Sequence, residues 1–290
     1  ITANSSTHEG LFLEANSKIQ SITSTLDISA VGGILLKSGT QLLASGNLNI
    51  YSNGSATNRE GLDVYEGGSV IIRSSAGNVN INSIGYHGIY LHNASTTVRA
   101  YGDLNINALG KTEIGIYGSA SGTCSSSPCG LISDTGNITI NAFSVNSNYA
   151  YYLRNPVIAN GTDAGKGNVY ISATGKNGAV YIDGGVYGYI KAQGGINLIA
   201  YGGATAGTYG IYVGAAGPSL TSSDGGLLRA ATGNITISAF GYDVALYGNT
   251  SSANIVALAG NIVVQGSALS TNASGTFTSV NAAIQTSYDS

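Results

Sequence analysis

Apolar and polar residues alternate in short runs along most of the chain, and the runs repeat. In "GNITINA", starting at Gly136, Ile138 and Ile140 fall on one side while Asn137, Thr139 and Asn141 fall on the other. This period of two marks a strand with one buried face. The phrase recurs as "GNLNIYS" at Gly46, "GNVNINS" at Gly77, "GDLNINA" at Gly102, "GNVYISA" at Gly167, "GGINLIA" at Gly194, "GNITISA" at Gly233 and "GNIVVQG" at Gly260. A degenerate copy, "STLDISA", starts at Ser24, and the steps between copies run from 22 to 39 residues. A constant phrase at a variable step points to stacked coils whose loops absorb insertions.

Two more phrases lie between these copies. One is a short alternating strand: "GLFL" at Gly10, "GILL" at Gly33, "GLDV" at Gly61, "GIYL" at Gly88, "GIYG" at Gly115, "AYYL" at Ala150, "AVYI" at Ala179, "GIYV" at Gly210 and "DVALY" at Asp243. The other precedes the Gly-Asn corner, as in "LLASG", "IIRSSAG", "TVRAYG", "YIKAQG", "LLRAATG" and "IVALAG". Each coil is therefore predicted to hold three short strands. One such coil cannot bury its apolar face, but stacked coils can, each strand pairing with its copies above and below. The prediction is an all-β solenoid, a parallel β-helix of about ten coils with triangular section. At a spacing of about 4.8 Å the rod is about 45–50 Å long. One continuous repeat makes residues 1–290 a single domain, with insertions expected near 109–130, 154–166, 201–209, 214–226 and 266–278.

The Gly-Asn corner has a physical reason, since both residues tolerate the left-handed conformation that sharp bends use. Asn47, Asn78, Asn137, Asn168, Asn234 and Asn261, with Asp103 substituting once, are expected to stack and share side-chain hydrogen bonds. The outward slot of the "GIYL" strand reads Phe12, Leu35, Asp63, Tyr90, Tyr117, Tyr152, Tyr181, Tyr212, Ala245. Five tyrosines at strand spacing predict an exposed aromatic ladder. It serves either rung-to-rung stacking or a platform for sugar rings or a neighbouring filament. A discontinuous stripe of Arg73, Arg99, Lys191 and Arg229 follows the third strand and is expected to keep a flat surface soluble. His87 and His92 flank "GIYL" and, with His8, are expected to be solvated rather than metal ligands.

Composition narrows the functional classes. Charged residues make up 9% of the chain, against about a quarter in ordinary globular proteins. The apolar fraction of 43% still provides a core. A net charge of −3 argues against nucleic acid as a partner. No apolar run approaches a membrane span. There is no Met, so a processed mature form or a fragment is expected, with any export signal already removed. Cys124 and Cys129 in "GTCSSSPCG" suggest a local disulfide, which suits an oxidising, extracellular setting. Zinc would need further ligands, and a redox pair usually reads CxxC. Among the Asn-x-Ser/Thr acceptor sites, Asn53, Asn93, Asn160, Asn249 and Asn272 lie in expected loops and are the candidate glycosylation sites.

The Gly-Asn-hydrophobic-x-hydrophobic phrase followed by Ala or Ser resembles the haemagglutinin repeats of filamentous-haemagglutinin-type adhesins. The resemblance covers essentially the whole chain. It implies a right-handed β-helix, two-partner secretion and a cell-surface, adhesive role. The Asn-Pro-rich motifs of that family's secretion domain are absent, and the one Asn-Pro is Asn155-Pro156. The resemblance is thus to the shaft rather than the export module.

Some β-helices act on polysaccharides, using clustered or paired carboxylates. Here the 14 acidic residues are scattered, and Asp183 with Lys191 or Asp243 with Arg229 are the nearest approach to such a pair. A non-enzymatic chain without cofactor or metal is expected. Its partners would be glycans or a surface receptor, or further copies joined end to end through open edges. Written head to tail, the termini give "YDS|ITAN", which resembles "TGNITISA".

Overall fold

The computed structural model describes the chain except residues 55–58, 66–67, 94, 122–128, 148, 183–187, 204–207, 214–227, 243, 249–253, 269–277, 280–282 and 287–290. Side chains at 93, 119–121, 248, 254, 268, 278–279 and 283–286 are also outside the description. The chain forms three parallel sheets of ten strands each, and every third strand joins the same sheet. This is a right-handed parallel β-helix of ten coils. Coil 1, for example, comprises Thr2–Asn4, Leu11–Leu13 and Lys18–Ser21, and coil 6 comprises Ile138–Ser144, Tyr151–Leu153 and Val157–Ala159. The first sheet carries the Gly-Asn phrase, the second the "GIYL" phrase, and the third the strand before the corner.

Register is held residue on residue. Ile81 pairs with Ile50 and Ile106, and Ile140 with Ile106 and Ile171. Like side chains therefore form columns down the rod. The inward columns are closed to solvent: Ile50, Leu48, Leu104, Ile138 and Ile140 are each at most 1% exposed. Where the first sheet turns toward the second, the inward side chains shrink to Ser52, Ser83, Ala108, Ala142, Ala173, Ala200 and Ala239. Space explains this. A Cβ on the neighbouring Gly88 would sit 2.5 Å from the Gly115 carbonyl oxygen and 2.7 Å from the Leu109 nitrogen. Ser83 Oγ fills the same bend by donating to the Gly88 carbonyl at 2.5 Å.

The Asn column exists, and its hydrogen bonds run mainly from backbone to side chain, with one amide-to-amide bond, from Asn168 Nδ2 to Asn137 Oδ1 at 3.2 Å. The Asn78 N–H donates to Asn47 Oδ1 at 2.9 Å, Asp103 N–H to Asn78 Oδ1 at 2.8 Å, and Asn137 N–H to Asp103 Oδ1 at 2.8 Å. Asn168 N–H donates to Asn137 Oδ1 at 3.0 Å, and Gly195 N–H to Asn168 Oδ1 at 2.7 Å. Gly195 offers no side-chain acceptor, so the column breaks there and resumes where Asn261 N–H donates to Asn234 Oδ1 at 2.8 Å. Asp replaces Asn at position 103 without loss because the role needs only an acceptor. At two of these corners a serine helps. Ser74 Oγ donates to the Gly46 carbonyl at 2.6 Å and accepts from Gly77 N–H at 2.8 Å, and Ser133 repeats this with Gly102 and Gly136.

Several expectations shift. Strands invade the expected insertions: Leu104–Gly110 and Ile116–Ser121 enter 109–130, Val157–Ala159 lies inside 154–166, Ile196–Gly202 enters 201–209, and Ile262–Ala268 enters 266–278. The expected insertion at 214–226 lies wholly outside the described residues. The third sheet also includes Gly130–Ser133, with Gly136-Asn137 two residues beyond it, and Val157–Ala159, which no Gly-Asn directly follows. Thr2 pairs with Ser29, which puts Ile1 in the column of Ile28 and Ile50, the second inward position. The head-to-tail comparison with "GNITI" aligns Ile1 with the first, so the two registers differ by two residues.

The corner column yields a prediction. Asn78→Ala leaves the Asp103 N–H without its acceptor and is expected to lower stability by about 1–2 kcal/mol. Thr236→Ala, on the outer face, should stay within about 0.5 kcal/mol. Chemical denaturation with amide exchange at Asp103 checks both, and equal losses in the two variants would remove the column from the stability account.

Candidate functional site

The outward column of the second sheet gathers the tyrosines. Tyr90 pairs with Tyr117, Tyr117 with Tyr152, Tyr152 with Tyr181, and Tyr181 with Tyr212. The next member is Tyr247, not Ala245, because Tyr209 pairs with Val244 and Ile211 with Leu246. Reading "DVALY" from Asp243 put the strand two residues out of step. Ala245 is fully buried, whereas Tyr247 continues the column. Six consecutive coils therefore carry tyrosine.

These rings face one another. Tyr152 and Tyr181 stack at 4.5 Å with an interplanar angle of 4°, and Tyr181 and Tyr212 at 4.8 Å and 15°. Tyr90–Tyr117, Tyr117–Tyr152 and Tyr212–Tyr247 lie at 5.0, 5.2 and 5.3 Å. Tyr149, just before its strand, packs edge-on against Tyr181 at 5.1 Å, and Tyr209, the first residue of the strand Tyr209–Val213, against Tyr212 at 5.3 Å. All six column rings are half-buried rather than exposed. Burial, with the neighbouring hydroxyls, pushes the Tyr149 phenol up to about 12. At such distances each ring pair contributes about 0.5–1.5 kcal/mol beyond area burial.

The column ends in an acid–histidine cluster at coils 3 and 4. Asp63 occupies the outward slot next to Tyr90. Its Oδ1 lies 3.3 Å from His92 Nε2, without hydrogen-bonding alignment. Glu60 Oε2 accepts from the His87 N–H at 2.7 Å and sits 3.0 Å from His87 Nδ1. Glu9 pairs with Arg59 at 3.0 Å. The two imidazoles sandwich Tyr90, at 4.7 Å for His87 and 3.6 Å for His92. Their side chains are 14% and 17% exposed. The expectation of solvated histidines is therefore overturned: acid partners and ring contacts hold both against one face. Burial first, then the nearby Glu60 and Glu9 charges, push the Asp63 carboxyl up to about 7. No group of three or more His, Cys, Asp or Glu suited to a metal ion occurs among the described residues.

Other candidate positions fall elsewhere. Arg73 and Arg99 are neighbours on the third sheet, as are Lys191 and Arg229, but Ile132 and Ile158 separate the two pairs. Arg99 Nε reaches both oxygens of Asp134 at 3.0 and 2.9 Å. Asp183 and Asp243 lie outside the described residues. So does Cys124, and with it the expected cysteine pairing, while Cys129 is buried. Asn160 is exposed and Asn53 partly so, the Asn93 side chain is outside the description, and Asn249 and Asn272 lie outside the described residues.

The sequence reading missed a second set of ladders on the outer face of the first sheet. Asn49 Nδ2 donates to Asp27 Oδ1 at 2.7 Å, Asn80 to Asn49 at 2.7 Å, and Asn105 to Asn80 at 2.9 Å. One step along the strands, Asn107 donates to Asn82 and Asn141 to Asn107, both at 2.8 Å. The signal was present, since "NLN", "NVNIN" and "DLNIN" carry a second and third Asn in phase with the corner Asn.

Comparison with protein-family models, curated proteins and solved structures returned no match. The family resemblance noted from the repeats therefore stands on the shared β-helical architecture.

Asp63 gives a pH prediction. An unfolded aspartate titrates near 3.8, and the folded one near 7. The folded state holds this proton more tightly, so the Asp63 contribution is complete below the unfolded value and is lost as pH rises toward 7. Asp63→Asn should match the wild type at pH 4 and exceed its Tm increasingly up to pH 8. A Tm difference that is flat across this range would refute the assignment.

Proposed function

We propose that the protein is an extracellular structural rod, a shaft or end-to-end filament unit serving surface adhesion or matrix. The observation that carries this reading is the continuous register: the same columns run from coil to coil through all three sheets. The coil-1 strands, Thr2–Asn4, Leu11–Leu13 and Lys18–Ser21, lie at the edges of their sheets. Leu11, Leu13 and Ile19 are only partly buried there. An edge strand over a partly buried apolar core can take a further β-helical coil, of the same chain or of another copy. The resemblance to filamentous-haemagglutinin-type repeats supports a secreted, cell-surface setting. A Cys124–Cys129 disulfide and glycans at the loop asparagines belong to the same reading. It assigns no catalytic step. No helix among the described residues is long and apolar enough to cross a membrane.

A glycan-binding rod is the second reading, favoured by the six-coil tyrosine column. Its support is weaker, because the ring faces are occupied by each other and by the two histidines. Negative-stain electron microscopy of purified protein tests the filament. Rods in multiples of about 45–50 Å, lengthening with concentration, are expected. Particles of one coil stack at every concentration would sink end-to-end assembly, and glycan-array binding lost in Tyr117→Ala and Tyr152→Ala would favour the second reading.

A further inference from the structure

The outer face of the first sheet is chemically unlike the other two. Its ten strands carry a single charged residue, Asp27, at one end. Elsewhere the face is amide, hydroxyl, aliphatic and aromatic. Half of the exposed large hydrophobics among the described residues lie on its strands: Tyr51, Phe143, Tyr170, Tyr201, Phe240 and Val263, each 37–46% exposed. Two features stand out within it. A groove of about 510 Å³ spans coils 4 to 7, with Asn82, Asn107 and Asn141 on one side and Ile84, Leu109 and Phe143 on the other. In coils 8 and 9, Tyr201 and Phe240 stack at 4.7 Å and 8° to form a ridge in the same outward column as Ile84, Leu109 and Phe143.

From this geometry we infer that the first-sheet face pairs with the same face of a second copy of this chain, side by side and antiparallel. A two-fold axis along the strands, between coils 6 and 7, maps coil 5 onto coil 8 and coil 4 onto coil 9. It lays Tyr201 and Phe240 of each copy over Leu109 and Ile84 of the other, on the apolar wall of its groove. One contact made twice is what a closed, isologous dimer requires. The overlap covers coils 3 to 10, about eight coils, and at about 4.8 Å per coil and about 20 Å of strand it spans about 750–800 Å² per copy. Stable interfaces use about 600–1,000 Å² per partner. Burying amides is normally costly, but here they donate to and accept from one another along the columns. Polar groups already satisfied within one molecule lose less on leaving water. With one charged residue at the edge, almost no like-charge repulsion opposes approach. The inference extends the structural role proposed above, yet lateral pairing and axial growth are separate contacts on separate surfaces.

Sedimentation velocity of the full chain from about 1 to 100 µM, with Tyr201→Lys and Phe240→Lys, tests it. Both side chains point outward, so circular dichroism and Tm should be preserved. A wild-type dimer whose Kd rises at least tenfold in each variant is expected. A wild type that stays single at 100 µM overturns the inference, and so does a dimer indifferent to both changes. Binding of a neutral glycan that is abolished in the same variants of a monomeric protein would assign the face to sugar instead. Electron microscopy separates the two assemblies: loss of lateral pairing alone gives single-width rods that still lengthen, and loss of axial growth alone gives short double-width particles.

Discussion

The structure depends on one constraint, that each coil must lie in register on the coil before it. Parallel strands have no local turn to fix their alignment, and a one-residue slip would move every inward side chain to the outer face. The chain meets this constraint with columns of like residues. Isoleucine sits on isoleucine inside, asparagine accepts from asparagine at the corner, and tyrosine stacks on tyrosine outside. Each column is modest alone, but all of them specify the same register. Inserted loops are tolerated because they leave the columns untouched.

The columns also explain how much could be read from the residues. Alternation in "GNITI" and its copies was enough for the three-strand coil, the parallel pairing and the number of coils, because a repeated pattern is unambiguous where a single run is not. The corner asparagines were legible from their spacing, although not their partner, since a side-chain oxygen can serve a backbone N–H or another amide equally well. Register failed where the phrase degenerated. "DVALY" lacks the glycine that marks the strand start, so Tyr247 was passed over for Ala245. The third-sheet strand Val157–Ala159 escaped because no Gly-Asn corner follows it directly, while Gly130–Ser133 was passed over although Gly136-Asn137 follows Ser133 by the same step as Gly77-Asn78 follows Ser74.

The candidate site was legible as a column and not as an environment. Spacing aligned the tyrosines, but their half-burial comes from Tyr149, Tyr209, His87 and His92, which approach from bends and strand ends. Likewise, Glu9, Glu60 and Asp63 lie far apart or out of phase in the sequence, and coil stacking alone brings their charges together. A burial-raised acid beside two histidines is a property of three coils at once. The three faces thus differ sharply: one nearly uncharged, one aromatic with an acidic end, and one with split basic pairs.

The direction of the asparagine bonds has one more consequence. In every described step of the corner and outer-face ladders, the later coil donates and the earlier coil accepts. Asp27, which can only accept when ionised, heads one column at its N-terminal end. The rod is therefore polar along its axis, and a finished coil presents a row of waiting oxygens to the residues that follow it. A chain emerging N-terminus first, from a ribosome or through a pore, meets a template already built at each step. Growth from the other end would have to hold its donors unfilled until the last coil arrived. The ladder is thus a vectorial device as well as a clamp, and its corner column pauses at Gly195.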